Sequence, residues 1–268
     1  MKTHITATSI RRSILAGAFL ALTTITSHAA VVTWGAATNI NPAGGAASDL
    51  DVSTTPGTVV GAFNLGPVGV PSTTINTVTF NPFAVPLGAP SVTVGNFTLA
   101  TAGAGGLRGS NFASGAAPFS NLSASYQNLL VPQAFTVAAN ATMTLTMSGL
   151  NVGQNYEFQW WSDQSVPGGG ITSAAAGNTV TLNSNTTAAN GGLGQFALGT
   201  FTADALSQAI TFTPGGGQQP QLNGFQLRQT AAAAVAVPEP GSALAGMLAL
   251  GVCLSGLAGR SRGKVLSS

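Results

Sequence analysis

Residues 156–163 of the chain read YEFQWWSD. The positions of one parity are all aromatic: Tyr156, Phe158 and Trp160. Those of the other parity are mostly polar: Glu157, Gln159, Trp161 and Asp163. Successive side chains of an extended strand point to opposite faces of a sheet. The alternation therefore predicts a strand whose first set fills a core and whose second set faces outward.

Short runs with the same period-two alternation recur on both sides of this strand. Clusters of Gly, Pro and Asn separate them, which is typical of antiparallel strands joined by turns. Eight or more strands in residues 30–230 predict an all-β fold, a single antiparallel β-sandwich of jelly-roll type. A turn or two of helix is expected only at 121–130, and Gly- and Ala-rich loops are expected at 41–47, 100–117 and 165–177. The predicted strands are 75–80, 91–99, 142–148, 156–160, 178–182, 195–201, 208–212 and 222–227.

The turn before the aromatic strand, residues 149–156, reads GLNVGQNY. It resembles the Gly-Leu-x-x-Gly-x-x-Tyr connection of many sandwich domains, including galactose-binding-like folds. The resemblance implies that Leu150 closes the core, that Gly153 permits a tight turn, and that Tyr156 starts the next strand facing inward. Residues 221–228, QLNGFQLR, likewise resemble the last strand of such modules. This resemblance indicates an architecture and no activity.

The N-terminus has the three parts of a secretory signal peptide. Basic residues come first, an apolar stretch at 14–25 is too short to span a bilayer well, and small residues follow at 27–29. We predict a signal peptide at 1–29 that is cleaved after Ala29. The Arg11-Arg12 pair also resembles a twin-arginine signal, so the Sec and twin-arginine export routes both stay open.

The C-terminal end also has three parts. Residues 237–240 read VPEP, an uncharged and mostly apolar stretch follows at 241–259, and a basic cluster closes the chain. At about 1.5 Å rise per residue, the apolar stretch makes a transmembrane helix close to the hydrocarbon thickness of roughly 30 Å. The prolines fix where that helix begins. A basic end predicts a cytoplasmic side, which places residues 30–230 outside the cell.

This three-part order resembles the PEP-CTERM sorting signal of exosortase substrates. The resemblance covers residues 237–264, after a small-residue linker at 231–236. It implies that an exosortase-type membrane protease recognises the motif and removes the helix, so that the product is released or joins an extracellular polysaccharide matrix. A simple single-pass anchor is the alternative. The residues that carry the motif are Val237, Pro238, Glu239, Pro240, Arg260 and Arg262.

The formal net charge of +2 hides an acidic domain. Between the two terminal segments there are two basic residues, Arg108 and Arg228, and five acidic residues, which gives a net charge of −3. No basic footprint for nucleic acid exists there. The five acids are Asp49, Asp51, Glu157, Asp163 and Asp204.

Histidine and cysteine occur only in the terminal segments, as His4, His28 and Cys253. Residues 30–230 therefore have no means of Ser-His or Cys-His catalysis and no His or Cys zinc site. Disulfides within this region are excluded too. Carboxylate chemistry and oxygen-ligand calcium sites are what remain.

Trp161 is the candidate sugar-binding residue. The outward parity places its indole beside Glu157, Gln159 and Asp163. A flat indole flanked by hydrogen-bonding groups can stack on the apolar face of a sugar. The alternative is that the loop at 165–177 covers Trp161.

Asp49 and Asp51 form an Asp-x-Asp pair that offers oxygens to a structural calcium ion, joined by Asp163 or Asp204. The glycine and terminal glutamate of an EF-hand loop are missing, and turn capping by the aspartates is the alternative. Glu157 and Asp163 would lie about 20 Å apart in an extended strand. Glycoside hydrolysis needs its carboxylates roughly 5–10 Å apart. We therefore predict no catalytic residue and no enzyme activity.

The sequence as a whole predicts a noncatalytic exported protein of the cell envelope or extracellular matrix. Its precursor would be membrane-anchored. Its partners would be signal peptidase, the secretion machinery, an exosortase-type protease and extracellular polysaccharide. The alternative is a carbohydrate-binding module that acts through the aromatic strand.

Overall fold

The computed structural model describes residues 30–231. The predicted signal peptide, the linker from residue 232 onward and the predicted sorting tail lie outside the described residues. Within 30–231, no helix is long and apolar enough to cross a membrane. Short strands are the main regular structure of this region, which also has two short helices, α1 (Gly45–Ser48) and α2 (Ala124–Leu130).

Seventeen strands in residues 30–231 form three sheets. In chain order they are β1 (Thr33–Trp34), β2 (Thr38–Asn39), β3 (Gly57–Gly66), β4 (Thr73–Ile75), β5 (Val78–Ala84), β6 (Ser91–Val94), β7 (Phe97–Thr101), β8 (Leu107–Asn111), β9 (Pro132–Thr136), β10 (Met143–Ser148), β11 (Asn155–Ser162), β12 (Ile171–Ala176), β13 (Asn178–Asn183), β14 (Gln195–Thr202), β15 (Ser207–Pro214), β16 (Gln221–Leu222) and β17 (Gly224–Thr230).

The two large sheets form a β-sandwich, which confirms the predicted all-β fold. The eight-stranded sheet has the order β1-β14-β11-β17-β3-β5-β4, with β2 also paired to β14. The six-stranded sheet has the order β13-β12-β15-β10-β7-β6, and β16-β9-β8 form a small third sheet. Among the described strands, β3 and β5 pair in parallel and the other pairs are antiparallel. The parallel pair arises because residues 67–77, which include β4, cross over between them.

The main core lies between the two large sheets. Trp160 on β11 meets Phe212 on β15 with ring centroids 5.0 Å apart. Phe63 on β3 meets Phe97 on β7 at the same distance, 5.0 Å. Each of these pairs joins one sheet to the other. Burial of a large apolar side chain contributes about 1.5–3 kcal/mol, so such contacts dominate the stability of the sandwich.

The turn into β11 has the geometry that its resemblance implies. Leu150 is buried in the main core, and Gly153 has a φ of 82°, which favours glycine. Tyr156 is buried as well, and its hydroxyl accepts a hydrogen bond from the Asn151 amide at 2.9 Å. This bond closes the turn and fixes the start of the aromatic strand.

A second core covers the opposite face of the eight-stranded sheet. Three segments supply the cover: residues 40–52, the hairpin of β4 and β5, and α2 with the short 3₁₀ turn before it. Apolar side chains from these segments pack on residues of β11 and β14. The largest members of the second core are Phe80, Phe119, Tyr126, Trp161 and Phe196. The eight-stranded sheet is therefore buried on both faces at its centre.

Two segments that were each predicted as a single strand form hairpins of two strands. The strand expected at 75–80 reverses at Asn76 and Thr77, whose φ angles are 45° and 68°. The strand expected at 91–99 reverses after Gly95. The predicted loop at 165–177 contains β12, and α2 lies where a short helix was expected. A β-branched Thr at positive φ is uncommon, so the sequence gives little sign of the first turn.

Candidate functional site

Trp161 is completely buried, so the prediction that its indole faces solvent is wrong. The ring packs edge-on against Phe80 at a centroid distance of 5.5 Å. Its Nε1 donates a hydrogen bond to the hydroxyl of Tyr126 on α2 at 3.0 Å. The side chain belongs to the second core, and α2 and β5, rather than the 165–177 segment, supply these contacts. No face of the indole is left for a sugar.

Glu157 and Gln159 lie on the same face of β11 and are also covered. The Glu157 carboxylate accepts hydrogen bonds from the Ser53 hydroxyl at 2.5 Å and the Thr55 hydroxyl at 2.8 Å. Gln159 accepts from the Ser53 amide at 2.9 Å and donates to the Asp51 carbonyl at 2.6 Å. These polar side chains fasten residues 51–55 onto the sheet. Their outward parity was predicted correctly, but their exposure was not.

Asp163 is fully buried just beyond the end of β11. Its Oδ1 accepts a hydrogen bond from the Gly194 amide at 2.6 Å, while Oδ2 has no partner among the residues that the structure describes. Burial raises the pKa of this carboxyl well above its ordinary value, and the Gly194 bond offsets only part of that shift. The group is placed to hold a proton rather than to bind a ligand from solvent.

The carboxylates of Asp49 and Asp51 accept hydrogen bonds from other groups of the protein. Asp49 accepts a hydrogen bond from the Ser123 hydroxyl at 2.5 Å. Asp51 accepts from the Asn41 amide at 2.8 Å and from the Tyr126 hydroxyl at 3.3 Å. Within residues 30–231, no three acidic, His or Cys side chains come together, so neither Asp163 nor Asp204 joins this pair. Calcium binding stays a prediction.

A cavity of about 150 Å³ opens beside the end of β11. Two phenylalanines and five glutamines form most of its wall, and we call it the glutamine pocket. Strands β8, β9 and β16 bring them together with the segment that follows β11. The residues are Phe112, Gln133, Phe135, Gln164, residues 218–219 and Gln221.

Three amides of the glutamine pocket are almost completely withdrawn from solvent. Gln133, Gln164 and Gln221 are 1%, 6% and 8% exposed. Gln221 Nε2 donates to Gln164 Oε1 at 2.5 Å. The Oε1 atoms of Gln133 and Gln221 are buried and have no partner within the described part of the chain. A buried acceptor without a hydrogen bond destabilises the folded state by about 1–3 kcal/mol. The two unpaired oxygens therefore need an explanation.

The backbone around the glutamine pocket is tightly held. Asn223 Nδ2 donates to the carbonyls of Leu130 at 2.5 Å and Asp163 at 3.1 Å. Asn185 Nδ2 donates to the Gln164 carbonyl at 3.0 Å. The backbone N–H of Gln221 donates to the Thr172 hydroxyl on β12 at 2.9 Å. These bonds fix the positions of the amides that line the cavity.

The glutamine pocket could not be predicted from the sequence. Its members are spread between residues 112 and 221, and strands β8 and β9, which gather them, were not predicted. The run QQPQ at 218–221 and the glutamine after Asp163 were the signals available. Neither run identifies a site until the strand pairing is known.

A larger cavity, about 600 Å³, lies at the opposite end of β11. Ala30 and Thr230, at the two ends of the described chain, both line it. Asn155, the first residue of β11, is also in its wall, whereas Gln164 lies just past the other end of that strand. Seven steps of an extended strand cover about 23 Å. Ala30 and Thr230 therefore lie at the opposite end of the sandwich from the glutamine pocket.

Comparison with known proteins gives weak likenesses. No family model matches the chain, and no curated protein does. A calcium-binding mutant of Bacteroides uniformis β-glucuronidase 2 is 12% identical with a TM-score of 0.43, over 64% of this chain and 18% of that one. Tailspike protein 4 of bacteriophage CBA120, in its enzymatically active domain, is 12% identical with a TM-score of 0.27, over 51% and 19%.

Carbohydrate-binding modules from the β-sandwich superfamily are 13% identical with a TM-score of 0.17, over 56% of this chain and 71% of theirs. This chain spans less than a fifth of the length of the glucuronidase and the tailspike domain. Likenesses of this strength indicate no function for this chain.

Proposed function

We propose that the chain is a noncatalytic exported protein of the cell envelope or extracellular matrix. The segment at 1–29 delivers it, and the segment at 237–264 anchors it until an exosortase-type protease cuts at the motif. The placement of Ala30 and Thr230, at the two ends of the described residues, supports this proposal. Ala30 and Thr230 line one cavity, so a domain cleaved after Ala29 and held through a linker at 231–236 is tethered at a single end. The opposite end then faces outward.

Four of the five carboxylates of the domain support a noncatalytic role because protein groups already engage them, and the fifth, Asp204, lines the larger cavity. Glu157 accepts two hydroxyl hydrogen bonds, and Asp163 accepts one from a backbone amide. Asp49 and Asp51 accept from Ser123 and from a backbone amide. Each of these acids stabilises the fold where it lies. Hydrolysis would require one of them to leave its partners and reach a substrate.

The alternative role predicted from the aromatic strand needs a different site. Sugar stacking on Trp161 requires an exposed indole, and that indole lies in the second core. Neither Glu157 nor Gln159 reaches solvent beside it, since residues 51–55 cover both. We therefore do not propose carbohydrate binding at this strand.

Replacing the motif tests the proposal. In the native organism, the triple variant Pro238→Ala, Glu239→Ala, Pro240→Ala should remain in the membrane fraction with its C-terminal segment uncut. The wild-type protein should be recovered from the matrix or medium. Val235→Ala, just before the motif, is the matched control and should fractionate like the wild type. Equal fractionation of the triple variant and the wild type would contradict the proposal.

A further inference from the structure

We propose that the glutamine pocket is a binding site for one uncharged sugar ring, a hexose unit of a polysaccharide. The inference goes beyond the proposed function because it assigns a ligand class and a site to the domain. It does not depend on how the terminal segments are processed.

The hydrogen-bonding groups of the pocket suit a neutral polyhydroxyl ligand. An amide side chain both accepts and donates hydrogen bonds, and so does a sugar hydroxyl. The side chains that line this cavity in the described part of the chain are uncharged. A carboxylate or ammonium ligand would lose its hydration there without meeting an opposite charge. The pocket therefore favours uncharged rings.

The unused amide groups point to a ligand. Gln133 Oε1 and Gln221 Oε1 are buried without a protein partner. Gln221 Nε2 already donates to Gln164, whereas rotation of the Gln133 amide about its last side-chain bond exchanges the positions of its oxygen and its NH₂ group. A bound ring could then donate to one amide and accept from another. Its hydroxyls would supply the hydrogen bonds that the protein leaves unmade.

Phenylalanine gives the pocket an apolar wall. Phe112 is half-buried and lies 6.2 Å from Phe135, between ring centroids. The guanidinium of Arg108 lies over the Phe135 ring, 5.6 Å from its centroid, in a cation–π contact. The C–H face of a pyranose would pack on Phe112 while its hydroxyls meet the amides. Such a division between apolar and polar walls is typical of small-molecule sites.

Size and rigidity narrow the ligand further. Pockets for drug-sized ligands measure roughly 300–1,000 Å³, so a cavity of about 150 Å³ suits a ligand no larger than a single ring. Asn185 and Asn223 fix the surrounding backbone, which reduces the ordering that binding requires. The cavity also lies at the end of the sandwich away from Ala30 and Thr230, where a long polymer can approach.

Titration of methyl glycosides into the full-length chain tests the inference. The chain is kept in a detergent without a sugar headgroup, and binding is measured by ligand-observed NMR and calorimetry. The panel contains neutral methyl hexosides, methyl glucuronide and methyl glucosaminide. At least one neutral hexoside should bind with a dissociation constant below 10 mM, and more tightly than either charged glycoside. No binding of any neutral glycoside, or preference for a charged one, would overturn the inference.

Variants locate the binding. Gln221→Leu removes a buried amide at similar size, and Phe112→Ala removes the half-buried ring and tests the site even if the first variant folds poorly. Each should weaken binding at least tenfold. Gln154→Leu, a glutamine near the start of β11, is the matched control and should bind like the wild type. Unchanged affinity in Phe112→Ala, or equal loss in Gln154→Leu, would contradict a site at the glutamine pocket.

Discussion

Trp161 is the residue on which the second core depends most. Its indole is fully buried and contacts β5, α2 and β14 through Phe80, Tyr126 and Phe196. Trp161→Ala should lower the free energy of unfolding by about 3–5 kcal/mol, because it leaves a cavity and removes the hydrogen bond that the indole donates to the Tyr126 hydroxyl. Urea denaturation followed by circular dichroism measures the loss.

An exposed leucine provides the control for Trp161. Leu206 is 69% exposed, and Leu206→Ala should change the free energy of unfolding by no more than about 0.5 kcal/mol. If Trp161→Ala were as mild as Leu206→Ala, the indole would be a surface group, and sugar stacking on β11 would again be open.

Asp163 makes stability depend on pH in a defined direction. Burial raises the pKa of its carboxyl above the ordinary value of 3.8, so the folded chain binds this proton more tightly than the unfolded chain does. The stabilisation is fully present below pH 3.8 and is lost as pH rises through the folded-state pKa. Asp163→Asn keeps the acceptor for Gly194 and cannot ionise.

The Asp163→Asn variant should therefore gain stability relative to the wild type as the pH is raised from about 4 to 8. Urea midpoints at several pH values measure the difference between the two proteins. Burial also raises the pKa of Asp51, but that contribution is common to both and cancels in the comparison. Parallel pH profiles would show that Asp163 is not buried as described.

At the scale of elements, α2 is held by a cap that also joins it to the 49–51 turn. The Ser123 hydroxyl accepts a hydrogen bond from the Tyr126 amide at 3.0 Å and donates to Asp49. Ser123→Ala removes both bonds and should cost about 1–2 kcal/mol of unfolding free energy. Thermal and urea denaturation give the value.

Ser125, inside the same helix, is the matched control for the cap. Ser125→Ala should be neutral or slightly stabilising because alanine has the higher helix propensity. In a double-mutant cycle, Asp49→Asn and Ser123→Ala should be non-additive, since they share one hydrogen bond. Additive effects, or equal effects of Ser123→Ala and Ser125→Ala, would argue against this cap.

The period-two pattern predicted the strands and their parity but not what covers them. Strands β10, β11, β13, β14 and β15 were predicted because each has one apolar face towards the main core. Strands β8, β9 and β12 escaped because glycine, proline or alanine weakens their alternation. Parity identifies two faces of a strand, and only tertiary packing decides whether the second face meets solvent.

For the molecule as a whole, the composition limits the available chemistry, because residues 30–231 contain no His, Cys or Lys. The candidate sites were harder to predict, because the polar residues of β11 that the sequence suggested as a binding site instead bond residues 51–55 to the sheet. The glutamine pocket depends on residues brought together from positions 112 to 221. Sequence spacing carries no information about such a juxtaposition without the strand order.

The arrangement of the whole sandwich fits the proposed function. Both ends of the described chain lie at one end of the sandwich, and the glutamine pocket lies at the other. A tether attached at the first end would turn the pocket towards the surroundings of the cell. The sorting tail proposed for residues 237–264 would anchor the domain until cleavage at the motif releases it to the matrix.

Intact-mass measurement of the protein recovered from culture medium or matrix tests the central claim most directly. The account predicts a species that begins near Ala30 and ends near the motif at 237–240, without the apolar segment that follows. Recovery of a species that still contains residues 241–268 would contradict processing of the tail.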